Sequence, residues 1–135
     1  MARVLMVASE AAPFVKTGGL GDVLGSLPAA LAAQGHAVAV LLPRYRQIQL
    51  AAPERIVHDA TVWLGSAPYA AAIDRVVHDG VPYLFLDCPT LYDRDGIYTH
   101  AGRDFPDNAV RFAALSRAAL DVVRRVFRPD VVHCH

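Results

Sequence analysis

Arg3-Val4-Leu5-Met6-Val7-Ala8 leads through Ser9-Glu10-Ala11-Ala12-Pro13-Phe14-Val15 into Lys16-Thr17-Gly18-Gly19-Leu20-Gly21-Asp22. After Arg3 the first run is apolar without alternation, as expected of a strand covered on both faces in a parallel sheet. The glycines make a turn, and Asp22 to Gln34 reads as a helix with Val23, Leu24, Leu27 and Leu31 on one stripe. Asp22 is expected to cap this helix and Gly35 to stop it. Pro28 would remove one of its hydrogen bonds, which predicts a kink or a start delayed to about Ser26. Ala37-Val38-Ala39-Val40-Leu41-Leu42 is a second buried strand. Strand, helix and strand within about forty residues make a right-handed crossover unit and assign the chain to the α/β class.

Outward from this unit the pattern changes. Arg55 to Leu64, Tyr69 to Val77 and Val81 to Leu86 are shorter and more alternating, with His78-Asp79-Gly80 as a turn, and read as antiparallel or mixed strands. Trp63 is expected in the core. Pro89 to Pro106 has no period and reads as a long loop. Asp107 should cap an amphipathic helix carrying Phe112, Leu115, Ala119, Val122 and Val126 on its apolar face, terminated at Arg128-Pro129. Asp130 to His135 begins another buried strand. A parallel strand that ends without its following loop or helix lacks a cover, so the expectation is a truncated piece of a larger protein.

The 135 residues amount to one domain, 54% hydrophobic and 19% charged, with thirteen acidic residues balancing thirteen basic ones. That balance argues against a broad nucleic-acid or anionic-membrane surface, so any polyanion site should be local. Cys88 and Cys134 have no metal-type spacing and form no disulfide framework, which points to reduced thiols in the cytoplasm. The N-terminal apolar run is too short for a membrane span or a signal peptide.

Lys16 is the only lysine in a chain with twelve arginines. It offers a mobile point charge where arginine offers a rigid planar fork. Exposed glycine amides and a following helix N-terminus can hold an anion such as a diphosphate. The alternative is a strand-to-helix turn with a solvated lysine. Gly18-Gly19-Leu20-Gly21 fits neither G-x-G-x-x-G nor G-x-x-x-x-G-K-[ST]. A nicotinamide site would want an acidic residue after the second strand, where Leu42-Pro43-Arg44 stands instead. Only a phosphorylated ribose would suit Arg44. His133 and His135 point to one side of a strand and are substrate-lining or packed residues; for a shared metal a third ligand is missing. Tyr92 and Tyr98 either meet a sugar or act as lids on the sheet.

Met6 to Val23, with its Lys16-Thr17-Gly18-Gly19-Leu20-Gly21-Asp22 core, resembles the start of bacterial glycogen synthases and plant starch synthases. The likeness continues through Ser26-Leu27-Pro28-Ala29-Ala30-Leu31, Leu41-Leu42-Pro43-Arg44-Tyr45, Leu91-Tyr92-Asp93-Arg94, Gly96-Ile97-Tyr98, Asp107-Asn108, Arg111-Phe112 and Pro129-Asp130-Val131-Val132-His133. It implies a Rossmann-like N-terminal domain of a GT-B glycosyltransferase, mostly parallel with helices on both faces. It also implies retaining transfer of glucose from ADP-glucose to the non-reducing end of an α-1,4-glucan such as glycogen, with no metal and no cofactor beyond the sugar-nucleotide substrate.

By the same resemblance Lys16, Gly18 and Gly19 contact ADP-glucose, Lys16 and Asp22 belong to the catalytic machinery, and Tyr98, His133 and His135 are candidate sugar or acceptor contacts. The family continues past these histidines into further catalytic residues and a C-terminal donor-binding domain. Residues 1–135 are therefore expected to be an incomplete N-terminal domain without synthase activity of its own. The rival reading is a stand-alone nucleotide- or glycan-binding module.

Overall fold

A computed structural model describes all 135 residues. Its elements are β1 (Arg3–Val7), α1 (Gly19–Ala33), β2 (Ala37–Pro43), β3 (Glu54–Leu64), β4 (Ala67–His78), β5 (Val81–Asp87), α2 (Pro89–Tyr92), β6 (Thr99–His100), β7 (Arg103–Asp104), α3 (Asn108–Asp121), a 3-10 turn at Val123–Arg125 and β8 (Val131–Cys134). Six strands form one sheet in the order β3-β4-β5-β2-β1-β8, and β6 and β7 pair separately. β1 lies parallel to β2 and to β8, β2 lies parallel to β5, and β3-β4-β5 run antiparallel.

The apolar runs become the sheet's centre because they have cover on both faces. Leu5, Met6, Ala39, Val40, Leu41, Leu42, Phe85 and Leu86 are fully buried. Successive residues of β5 point to opposite sides. Tyr83 and Phe85 meet Phe14, on the side of α1, at ring-centroid distances of 5.0 Å each. Pro82 and Leu84 line a hollow with Val126 and Phe127, beyond the end of α3. The two long helices thus cover opposite faces. No helix is long and apolar enough to cross a membrane.

Contrary to the delayed start expected from Pro28, α1 begins at Gly19 and runs through the proline. Pro28 has no N–H, so the carbonyl of Leu24 loses its intrahelical donor. The buried hydroxyl of Tyr83 donates to that carbonyl at 2.9 Å and replaces the missing bond. Asp22 does not cap: Gly18 occupies the cap position and Asp22 falls in the first turn. Gly35 does stop the helix. Its φ is +91°, and the Gly35 and His36 amides donate to Ala32 and Leu31, the paired bonds of a Schellman ending.

Other expectations shift for identifiable reasons. Trp63 is 51% exposed rather than in the core, because alternation along β3 gives the inward position to Val62. β8 is exposed along its length rather than buried, since it is an edge strand paired only with β1. Val126 leaves the apolar stripe because α3 ends at Asp121 and the 3-10 turn rotates it outward, while Leu115, Ala119 and Val122 remain buried. Asp107 stands at the cap position of α3, but its carboxylate binds both Arg94 guanidinium nitrogens at 2.6 Å instead of a first-turn amide. The long loop contains α2 and the small β6-β7 hairpin. Both cysteines are free thiols, Cys88 buried and Cys134 exposed.

Candidate functional site

The parallel strands β1 and β8 end side by side, and the amide of His135 donates to the Val7 carbonyl at 2.9 Å. Ligands of open parallel sheets bind beyond such carboxyl ends. From β1 the chain makes a tight turn in which Phe14 and Val15 both donate to the Ala11 carbonyl, and Ala12 donates to Gly21 at 2.9 Å. This turn lays the stem of Lys16 directly on the first turn of α1. A Cβ added at Gly21 would come within 2.9 Å of Lys16 Cγ and 3.2 Å of its Cα, so the glycine makes room for the lysine. Lys16 Nζ reaches Asp22 Oδ1 at 2.9 Å, with the two side chains 49% and 61% exposed. Exposed pairs of this kind contribute about 0.2–1 kcal/mol, so a ligand anion can displace the aspartate.

Glu10, which the sequence reading quotes only as part of the motif, sits at the centre. It is 2% exposed. Its Oε1 accepts the amides of Thr17, Gly18 and Gly21 at 3.1, 3.2 and 3.2 Å, and its Oε2 accepts the hydroxyls of Thr17 at 2.6 Å and Tyr98 at 2.7 Å. Burial raises the carboxyl's pKa, but the hydrogen bonds from Thr17, Tyr98 and Gly18 outweigh it and hold the group at about 2. The amide of Gly18 therefore points inward to a carboxylate of the chain itself, where exposed glycine amides were expected to face a ligand. Gly18 and Gly19 are exposed, with open space where a side chain would stand. The outer surface of the loop offers Lys16, the Gly19 backbone and the positive end of α1.

Tyr98 reaches this centre from the far loop. Its hydroxyl lies 2.6 Å from Ser9 Oγ and donates to Glu10, and its ring rests on Phe112. Burial, with Glu10 beside it, pushes the phenol up to about 12. Gly96, at φ +114°, makes the bend before it, where any Cβ would overlap the Thr99 carbonyl oxygen. Asn108 Nδ2 and the Phe105 amide hold the Tyr98 carbonyl at 2.9 and 3.0 Å.

Beneath lies Arg111, fully buried, a second residue whose weight the sequence hides. Its Nε donates to Leu91 O and its Nη1 to Ile97 O, each at 2.7 Å, and its guanidinium stacks over Phe105 at 4.8 Å. It meets carbonyls and rings and no carboxylate, so burial lowers its pKa. Tyr92 is fully buried and donates to the Arg111 carbonyl at 2.7 Å, a support within the core and not a surface lid. Tyr45, also buried, donates to the Ser9 carbonyl at 2.7 Å.

His133 and His135 stack with ring centroids 4.0 Å apart. His135 lines a cleft of about 380 Å³ with Ser9, Tyr98, Phe112 and Cys134, and burial and His133 lower its pKa. The structure thus brings Lys16, Asp22 and Gly19 together on one side of Glu10 and Tyr98 with His135 on the other. Arg44 is engaged elsewhere: it and Arg55 bind the buried Asp74, whose carboxylate they hold below its usual range against the cost of burial.

A parallel-centred sheet flanked by helices, with a lysine-glycine loop and a cleft at its carboxyl ends, defines a Rossmann-like α/β domain. The chain belongs to the starch synthase catalytic domain family, whose sequence profile matches residues 3–135. It is 42% identical over 134 residues to the glycogen synthase of Koribacter versatilis, covering 98% of this chain and 28% of that protein. The glycogen synthase of Granulibacter bethesdensis is 46% identical over 138 residues, covering 98% and 28%. The solved catalytic domain of starch synthase IV from Arabidopsis thaliana, bound to ADP and acarbose, superposes with a TM-score of 0.86 at 30% identity, covering 99% of this chain and 28% of that one. The chain therefore spans a little over a quarter of the length of these relatives.

Proposed function

We propose that this domain supplies the N-terminal wall of a cytoplasmic retaining glucosyltransferase that moves glucose from ADP-glucose to the non-reducing end of an α-1,4-glucan. The C1–O bond to the diphosphate breaks, C1 bonds the acceptor's 4-oxygen with retained configuration, and the hydroxyl proton is released. Lys16 binds the diphosphate and stabilises the charge that collects on departing ADP, as preorganised cations do. One charge-assisted hydrogen bond of this kind is worth about 1.5–3 kcal/mol. Asp22 holds the ammonium in place until the diphosphate takes it over, and Gly18 and Gly19 leave space for close approach. Tyr98 and His135, which line the cleft, meet the sugar or acceptor, and His133, which is not part of that lining, packs against His135.

The observation that carries this reading is the Lys16 stem seated on Gly21 at the N-terminus of α1. The crystallised starch synthase bound to ADP and acarbose supports the two ligand classes for this chain. In this reading the 135 residues supply the Lys16 contact to the donor's diphosphate and do not turn the donor over by themselves. Titration calorimetry with ADP-glucose, alongside an incorporation assay on glycogen, tests both parts. Lys16-dependent binding without incorporation is expected; incorporation by the 135 residues alone, or binding indifferent to Lys16→Ala, would contradict it.

A further inference from the structure

The carboxylate of Glu10 is saturated. Three amides converge on one oxygen and two hydroxyls on the other, which fills the acceptor capacity of a carboxylate. A group so occupied neither takes a proton from a substrate nor attacks one, so whatever it contributes it contributes through the groups it holds. On one side these are Thr17, Gly18 and Gly21, the frame that carries Lys16. On the other is Tyr98, 88 positions away in sequence. Outside the loop itself, Glu10 is the side chain that accepts from both.

We infer that Glu10 is a positioning residue that locks the Lys16 loop and Tyr98 into one preorganised unit for the diphosphate of a sugar nucleotide. The inference rests on the donor-binding reading above for its ligand, and on the Glu10 geometry for the coupling. With the inner amides committed to Glu10, the loop needs no ligand to order it, and the lysine presents its charge on the outer face in one place. Preorganisation of this kind raises affinity by removing the ordering cost from the binding step.

Glu10→Ala deletes a CH2COO group, the heavy-atom equivalent of acetate, and leaves a pocket of five donors. Acetate should refill it. In amide and tyrosine-ring NMR spectra of the 135-residue chain, Glu10→Ala is expected to shift the Thr17, Gly18, Gly21 and Tyr98 signals together. Added acetate should return all four along one saturation curve, with chloride at equal ionic strength leaving them unmoved. ADP affinity should fall about tenfold or more in the variant, because the loop must then be ordered on binding, and recover with acetate.

If Glu10→Ala does not fold, Tyr98→Phe carries the test, because it must then move the Gly18 and Gly21 amides through Glu10. The loop signals responding without Tyr98, or Tyr98 without the loop, would overturn the coupling. Unchanged ADP affinity in Glu10→Ala, with wild type binding, would overturn the preorganisation. Failure of the wild-type chain to bind ADP would instead strike the donor reading and leave the NMR coupling to decide the role of Glu10.

Discussion

The Tyr83 hydroxyl donates to the Leu24 carbonyl at 2.9 Å, at the point where Pro28 leaves α1 one donor short. A buried carbonyl without a partner costs about 1–3 kcal/mol. Tyr83→Phe is therefore expected to destabilise the chain by that amount. In a Pro28→Ala background residue 28 regains its N–H, the helix supplies the donor, and the same tyrosine change should cost about 1 kcal/mol less. Chemical denaturation of the four variants measures this coupling, and equal costs in both backgrounds would show that the hydroxyl does not stand in for the helix bond.

The acid limb of stability should follow Glu10. Its pKa is depressed from the ordinary 4.5 of a glutamate to about 2 in the folded chain. The stability from its hydrogen bonds is thus fully present above about pH 4.5 and is lost as pH falls toward 2. The magnitude is on the order of 3 kcal/mol. Asp74 and Asp107, also lowered, act in the same direction. Denaturation at pH 7 and pH 3 should show a large loss in wild type and a clearly smaller one in Glu10→Gln, whose side chain does not titrate. Identical losses in the two proteins would mean that the carboxylate is not held as described.

Arg111 should govern the order of the Tyr98 segment. It ties the carbonyls of Leu91 and Ile97 to α3 and stacks on Phe105. Arg111→Ala is expected to cost about 2–4 kcal/mol, since it opens a cavity and strips two carbonyls of their donors. Hydrogen exchange at the Phe105 amide, which donates to Tyr98, should accelerate well beyond that at β1 and β2. Uniform acceleration across the chain would argue for a general loss of stability without a specific hold on this segment.

These cases also show what a reader of the bare sequence can and cannot see. The runs at Val4–Val7 and Val38–Leu42 are legible because a strand buried on both faces is apolar throughout, and Gly35 and Asp79-Gly80 because positive φ leaves few residue choices. Pro28 misleads because its compensating donor is Tyr83, on a distant strand. Glu10 and Arg111 are hidden by their type: a carboxylate in a loop and an arginine on an amphipathic helix read as solvated, and only folding brings the donors and carbonyls that bury them. A carboxylate directly after an apolar strand and before a glycine loop is the one local sign that could have singled out Glu10. Trp63 and β8 depend on where the sheet ends, which no local pattern encodes.

The loop's place in donor binding turns on its single ammonium group. Lys16→Ala should weaken ADP-glucose binding about tenfold to a hundredfold, the loss of one charge-assisted bond. Lys16→Arg should recover only part of it, because the planar guanidinium is bulkier than the ammonium that the stem over Gly21 carries to Asp22. Calorimetric titration of the three proteins checks the order, and wild-type affinity in the arginine variant would show that a point charge is not required.

Because the chain contains one lysine, lysine-selective labelling yields a single side-chain resonance with no assignment problem. Titrating ADP-glucose into that sample tests the diphosphate site most directly. The Lys16 ammonium signal and the Gly18 and Gly19 amides are expected to shift together and saturate at one dissociation constant. Saturable binding that moves other residues while the Lys16 signal stays fixed would contradict it.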